Sequence, residues 1–439
     1  MALSVAERRA RARRRKALMQ AAGDGAILVL PAAPERIRSR DTHYPYRQDS
    51  DFWYLTGCDE PEAVLVLVPG RRHGESILFC RERDPEREGW DGPRLGPEGA
   101  VDALGLDDAY PIADIDDILP GLLEGRRRVH YHLGRDPEFD LKLIGWLNRV
   151  RAQARQGAQP PQEFLELGHL LDEMRLFKSA DEIALMQKAA DISVEAHRAA
   201  MRAARPGIHE YELQAEVERV FRRHGAEPAY ASIVGAGANA CVLHYRANAA
   251  KARAGELVLI DAGAEHRGYA SDITRTFPVG GRFSREQRAL HDLVCRAQAA
   301  ALAQARPGVP YEAGHDAAVH TLSDGLLSLG LLQGTLEAAV ADGDYKRFYR
   351  HKTGHWLGLD VHDVGEYRID GASRLLEPGM VFTIEPGLYI PADDATVPAK
   401  WRGIGIRIED DVLVTRDGHR VLTGALERSA DEVEALMAG

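Results

Sequence analysis

Leu257-Val258-Leu259-Ile260-Asp261-Ala262-Gly263, with Gly268-Tyr269-Ala270-Ser271-Asp272-Ile273-Thr274 just beyond it, decides how the second half of this chain reads. A run of β-favouring apolar residues ends on an aspartate. A turn then leads to a second aspartate at the head of another strand-like run, which continues to Val279. A hairpin turning near Glu265–Gly268 sets Asp261 and Asp272 on neighbouring strands, where their carboxylates can share a pair of metal ions. Either aspartate taken singly would pass for a turn or cap residue.

The same kind of residue recurs further along. Glu385 closes the strand pattern Val381-Phe382-Thr383-Ile384 and precedes Pro386-Gly387, a place poorly explained as surface. Glu409 ends Ile404-Gly405-Ile406-Arg407-Ile408, and Arg407, two positions earlier, shares its face of a strand. The competing reading of that stretch is a polar edge facing solvent, with Ile406 and Ile408 turned inward. His351, His355 and His362 fall close together in a chain of 17 histidines. His351 and His355 have the spacing of a helical zinc pair, but Gly354 and the missing glutamate after His351 argue against that motif. One of the three as a ligand, with the others around a substrate, suits the carboxylates better.

Asp261, Asp272, His355, Glu385 and Glu409 make a set of four carboxylates and one imidazole. Ionised carboxylates cannot be gathered in an interior without counter-charge. Two divalent cations would supply it, and the set has the ligand count of a two-metal hydrolytic site. Oxygen-rich ligation suits Mn²⁺, whereas thiolates would point to zinc.

At 439 residues the chain is too long for one ordinary core, and two domains are expected. The first third alternates short buried strands (Ala26–Leu30, Ala63–Val68, Ser76–Cys80, Val129–Tyr131) with helices at Asp116–Glu124 and Leu141–Arg155, and Gln156–Pro161 reads as a linker. Ser179 caps a long amphipathic helix with Glu182 as its capping-box partner. Further helices are expected at Glu210–His224, Ser284–Ala305 and Tyr311–Leu329, with strands at Leu257–Ala262, Ala270–Val279, Met380–Ile390 and Gly405–Val414. Arg205-Pro206-Gly207 and Arg306-Pro307-Gly308 each sit between two helices and hint at a degenerate duplication.

A net charge of −11 argues against a general nucleic-acid binder, and no apolar run approaches bilayer length. Arg8, Arg9, Arg11, Arg13, Arg14 and Arg15 crowd the start, without the apolar stretch of a secretory signal. They read as the solvated face of an opening helix rather than a transit peptide. Cys58, Cys80, Cys241 and Cys295 are far apart, so neither a thiolate zinc site nor a disulfide framework is expected, and a cytoplasmic location fits.

Taken in order, Ile260-Asp261-Ala262-Gly263 with Tyr269–Thr276, Gly354-His355-Trp356-Leu357-Gly358-Leu359-Asp360-Val361-His362-Asp363, Thr383-Ile384-Glu385-Pro386-Gly387 and Gly405-Ile406-Arg407-Ile408-Glu409-Asp410 resemble the metallopeptidases of the pita-bread fold. Tyr46–Gly57 and Trp90–Gly96 resemble the amino domain of the aminopeptidase P group within that family. The resemblance implies an α/β (α+β) chain of two domains. Residues 1–174 would form a mixed α/β domain serving substrate access and oligomerisation. Residues 175–439 would form a pita-bread catalytic domain with a curved antiparallel sheet.

The implied activity is release of an N-terminal residue from peptides with proline in second position, using two Mn²⁺ or other divalent cations. By motif, Asp261 binds one metal, His355 the other, Asp272 and Glu409 bridge, and Glu385 is a further ligand. His244, His351 and His362 match the family's substrate-facing histidines, and Arg407 the arginine that orients a carboxylate ligand. Glu385 would take and pass on the proton of the attacking water. His362 would donate to the substrate carbonyl. Trp90 and Tyr389 are expected near the proline ring. The partners implied are peptides, neither nucleic acid nor membrane, and a second copy or more of the chain as a homodimer or homotetramer. A prolidase confined to Xaa-Pro dipeptides is the nearest rival, and a non-catalytic peptide-binding protein on the same fold is a more distant one.

Overall fold

The computed structural model describes residues 3–439. The chain divides into two compact units, one up to Asp172 and one from Glu173 onward. The division falls inside the helix Gly168–Leu176.

The first unit is built on a six-stranded mixed sheet in the order Asp108–Pro111, Ser76–Cys80, Val64–Leu67, Ala26–Pro31, Arg128–Tyr131, Glu163–Glu166. Ala26–Pro31 runs antiparallel to Val64–Leu67 and parallel to Arg128–Tyr131. The central strands are continuous apolar runs because both faces of the sheet are covered. Helices Ile115–Leu123 and Pro137–Ala152 pack Leu119, Leu123, Leu143 and Trp146 on one face. The expected linker at Gln156–Pro161 joins a helix to the edge strand within this unit, so it marks no domain boundary.

The arginine-rich start is the helix Val5–Ala22, capped by Ser4 and Glu7. The solvated-face reading needs correcting at two positions. Arg11 and Arg15 are buried, and Arg15 donates to the carbonyls of Leu55 (2.8 Å) and Gly105. Burial lowers the Arg15 pKa to about 10, against the pull of Asp107. Carbonyls left over at turns take up the guanidinium donors, a use that charge patterning along one helix cannot reveal.

The second unit is antiparallel throughout its named sheets. Leu257–Asp261 lies between Ile233–Ala236 and Thr274–Pro278, Asp410–Thr415 lies between Val381–Ile384 and Gly418–Val421, and Gly387–Ile390 pairs with Ile404–Arg407. Helices Ala180–Ala203 and Glu210–Arg223 bury Met201, Leu213 and Phe221 against the first of these sheets. Helices Arg285–Leu302 and Glu312–Ser328 bury Leu290, Leu293 and Leu322 against the strands of the other two. Each helix pair is joined through an Arg-Pro-Gly turn whose glycine has positive φ, +90° at Gly207 and +79° at Gly308. The two halves thus repeat one order of helix, turn, helix and strands, as the paired motifs hinted.

The capping box at Ser179 and Glu182 forms as expected. Three expected strands are each interrupted. Ala270–Val279 becomes a short rung at Tyr269–Ala270 and the strand Thr274–Pro278. Met380–Ile390 splits at Glu385-Pro386, and Gly405–Val414 splits at Ile408-Glu409. The pieces of each belong to different sheets, because the chain crosses from one sheet to the next at these points.

Candidate metal centre

Those crossings carry the acidic residues. Asp261 is the last residue of its strand, Asp272 lies just before Thr274–Pro278, and Glu385 and Glu409 sit in the two gaps. A residue between sheets has no cross-strand neighbour on both sides, so its side chain turns into the space the sheets enclose. Two glycines permit the close approach. A Cβ on Gly263 would lie 1.7 Å from the Ser271 carbonyl oxygen, and one on Gly354 would lie 1.9 Å from that of Thr383. The first contact folds the hairpin back so that Asp272 approaches Asp261; the second pins His355 against Thr383, whose amide donates to the His355 carbonyl at 2.9 Å.

Asp261, Asp272, His355, Glu385 and Glu409 line one cavity of about 510 Å³, together with His244, His351, His362, Arg407 and Tyr230. The residues expected as metal ligands or catalytic groups therefore line one cavity. Asp272, His355 and Glu409 can each bring a ligand atom within 4.8 Å of the others. His355 Nε2 is 3.4 Å from Asp272 Oδ2 and 3.7 Å from Glu385 Oε1. Its Nδ1 donates to the Trp356 carbonyl at 3.0 Å, which fixes the tautomer and turns the Nε2 lone pair toward the acids.

The electrostatics are those of a crowded anion cluster. Burial, reinforced by Asp261, raises the Asp272 pKa. Burial, together with Asp272 and Asp261, outweighs His355 and Arg407 and raises Glu385 to about 7. Burial and the three neighbouring acids push Glu409 well above the carboxylate range. Burial opposes charge on His355, but Asp272 and Glu385 prevail and raise it to about 9. Each shift expresses a demand for positive charge at the centre of the cluster. Hard oxygen donors with one imidazole lone pair are suited to meet it with divalent cations.

The walls hold the acids in place. Arg407, buried, donates to Asp261 Oδ2 at 2.5 Å, to Thr274 Oγ1 at 3.0 Å and to the Tyr389 hydroxyl at 3.0 Å. Thr274 Oγ1 donates to Glu409 Oε2 at 2.6 Å. Asp411, itself buried, accepts the Asp272 amide at 3.2 Å. The Tyr230 hydroxyl lies between the two aspartates, 2.5 Å from Asp261 Oδ1 and hydrogen-bonded to Asp272 Oδ1. Sequence reading missed Tyr230, Thr274 and Asp411. Thr274 was within reach, since it stands two positions from Asp272; nothing near Tyr230 in the chain advertises it.

The histidines divide. His244 and His362 are exposed to the cavity, and His362 stacks edge-on against His355 with centroids 4.3 Å apart. His351 has both ring nitrogens engaged, Nδ1 with the Lys352 carbonyl and Nε2 with the Tyr389 hydroxyl, each at 2.8 Å. Burial, with Arg407 adding to it, lowers its pKa to about 3. Tyr389 is buried and bonded to Arg407 and His351, so it supports the wall rather than lining it, contrary to the expected place beside proline. Trp90 stands 85% exposed on the first unit.

Residues 184–416 match metallopeptidase family M24, and residues 11–131 match the aminopeptidase P N-terminal domain. The Xaa-Pro aminopeptidase of Escherichia coli (strain K12) is 46% identical over 97% of this chain and 96% of its own length. The structure of Pseudomonas aeruginosa aminopeptidase PepP is 58% identical, covers 98% of both chains and superposes with a TM-score of 0.97. That of aminopeptidase P from E. coli with the inhibitor Pro-Leu is 45% identical, covers 100% of this chain and 99% of its own, and superposes with a TM-score of 0.95.

Proposed function

This chain belongs to metallopeptidase family M24, and on that premise we infer its reaction: it is an Xaa-Pro aminopeptidase, a metal-dependent hydrolase that releases the first residue of peptides whose second residue is proline. One observation carries the chemistry: four carboxylates and an imidazole converge on a single cavity although they come from separate crossings of the chain.

Asp261, Asp272, His355, Glu385 and Glu409 would hold two divalent cations, with Mn²⁺ favoured by the oxygen-rich donor set. Bound there, such ions neutralise the buried acids and make an attacking water acidic enough to react at neutral pH. Glu385, kept near Thr383 Oγ1 at 3.4 Å, takes the proton given up on attack and passes it on. His362, exposed to the cavity, donates to the carbonyl oxygen of the first residue, a contact worth roughly 3 kcal/mol in the transition state. His244 and His351 bound the space the peptide occupies. Arg407 orients Asp261 through its guanidinium. The Xaa-Pro bond is a tertiary amide without N–H, so a site that offers no acceptor there and fits the ring selects it.

Activity on Xaa-Pro-Xaa tripeptides, lost on chelation and restored by Mn²⁺, is the expected outcome. Cleavage restricted to dipeptides such as Gly-Pro would make the protein a prolidase instead. Elemental analysis of the saturated enzyme should find about two manganese ions per chain. Assembly into a homodimer or homotetramer belongs to the same proposal, with residues 1–174 supplying contacts between copies; light scattering on the eluted protein tests it. The four cysteines are unpaired, which supports a reducing, cytoplasmic setting. No helix among the described residues is long and apolar enough to cross a membrane.

A further inference from the structure

The loop that carries His362 has almost no regular structure to hold it. From Trp356 to Asp363 it contains one isolated bridge, Trp356 to Phe382, and no helix or strand. Its first half is tied to neighbouring segments by Leu357 N–H to the Val381 carbonyl at 3.0 Å and Ala270 N–H to the Gly358 carbonyl at 2.8 Å; its second half is closed by Asp363 N–H to the Trp356 carbonyl at 2.9 Å and Gly358 N–H to the Asp360 carbonyl at 3.1 Å. Among the described residues the His362 ring makes no hydrogen bond; it packs edge-on against His355, and the adjacent main chain fixes where the side chain departs.

The next residue is clamped. Asp363 is buried, and its Oδ1 accepts Arg175 Nη2 at 2.5 Å while its Oδ2 accepts Lys178 Nζ at 3.0 Å. Arg175 Nη2 also reaches Asp360 Oδ2 at 2.7 Å, so both ends of the last turn are tied to one guanidinium. Arg175 and Lys178 are themselves buried, and the Lys178 amide donates to the Gly379 carbonyl at 2.9 Å. A Cβ on Gly358 would fall 2.1 Å from Asp363 Oδ2 and 2.9 Å from Lys178 Cε, so the loop is packed directly onto this pair. Asp363, Arg175 and Lys178 are buried while Asp360 is partly exposed, and buried charges of this kind are costly unless each is paired in good geometry, as these are.

We propose that Asp363 is a positioning residue for His362: held by Arg175 and Lys178, it fixes the adjacent main chain so that the imidazole faces the reacting carbonyl. The proposal rests on the reading of His362 as donor to that carbonyl. A displacement of about 1 Å at such a donor costs on the order of 100-fold in rate.

The test is a double-mutant cycle on the full-length, manganese-loaded enzyme with a Xaa-Pro-Xaa tripeptide. Asp363→Asn weakens the clamp by charge, and Gly358→Ala pushes Asp363 aside with every charge retained. Each should lower kcat about 100-fold with KM within about two-fold, because the lost contact belongs to the transition state. In a His362→Ala background neither should lower kcat further, and manganese content should stay at the wild-type value in all variants. Losses that multiply with that of His362→Ala, or variants with wild-type kcat, overturn the proposal. If His362→Ala alone leaves kcat intact, the donor reading falls and the proposal with it, an outcome distinct from a failed cycle. Should Asp363→Asn not fold, the Gly358→Ala cycle decides alone.

Discussion

Tyr230 and Arg407 show how much of the centre depends on residues that would touch no metal. The Tyr230 hydroxyl bridges Asp261 and Asp272, and burial beside those acids raises its pKa well above the usual range, so it stays a donor. Removing it in Tyr230→Phe leaves the two aspartates to repel each other. We expect Mn²⁺ affinity to fall about 10-fold or more, read by titration of the apoprotein. Arg407 serves Asp261, Thr274 and Tyr389 at once through three different nitrogens. An ammonium cannot reproduce that fork. Arg407→Lys should therefore lose on the order of 10-fold to 100-fold in kcat/KM despite keeping its charge, whereas a variant with wild-type kinetics would reduce Arg407 to a counter-charge. At this scale the sequence was most legible where chemistry is local: Asp261, Glu385 and Glu409 stand at strand ends that their neighbours announce. Tyr230 was illegible because its partners lie 31 and 42 positions away.

The elements contribute their interruptions. Three of the expected strands were right in place and composition but proved to be two pieces each in different sheets, with an acid at or beside the break. Apolar patterning reports burial, and a strand crossing between two sheets stays buried throughout, so the break leaves no polar signature. Glycine marks the tight points instead. Alanine at Gly263 or Gly354 cannot be accommodated without moving Ser271 or Thr383, both backbone contacts under 2 Å. We expect either substitution to reduce bound manganese in elemental analysis and to lower the thermal midpoint. Full metal occupancy in both would show that the hairpin and the His355 loop can shift without opening the site.

On the scale of the whole molecule, stability should carry a pH signature from two buried histidines that do not line the candidate site. His291 and His197 are fully buried, and burial depresses each to about 4, with Arg275 adding to the effect. The unfolded chain binds a proton at each near pH 6.5 while the folded chain does not, so the stabilisation is complete above that pH and fades as pH falls toward 4. The loss amounts to about 3 kcal/mol per histidine by linkage. Denaturant titrations across that window should show the decline, and His291→Gln should flatten its share of it. A decline of equal steepness in His291→Gln would assign the acid sensitivity to other groups.

The order of residues along the chain carries the inventory: two units, helices with their caps, buried strands, and a set of hard donor side chains whose number and type suit divalent metal. Those features follow from local spacing, because periodicity, capping and turn chemistry act over a few residues. Long-range packing places Glu385 and Glu409 between sheets, joins two aspartates through Tyr230, puts Arg11 and Arg15 inside, and ties the loop of His362 to Arg175 and Lys178. Each of these depends on groups far apart in the chain, whose meeting is set by how the sheets and helices close on one another rather than by what stands next to them.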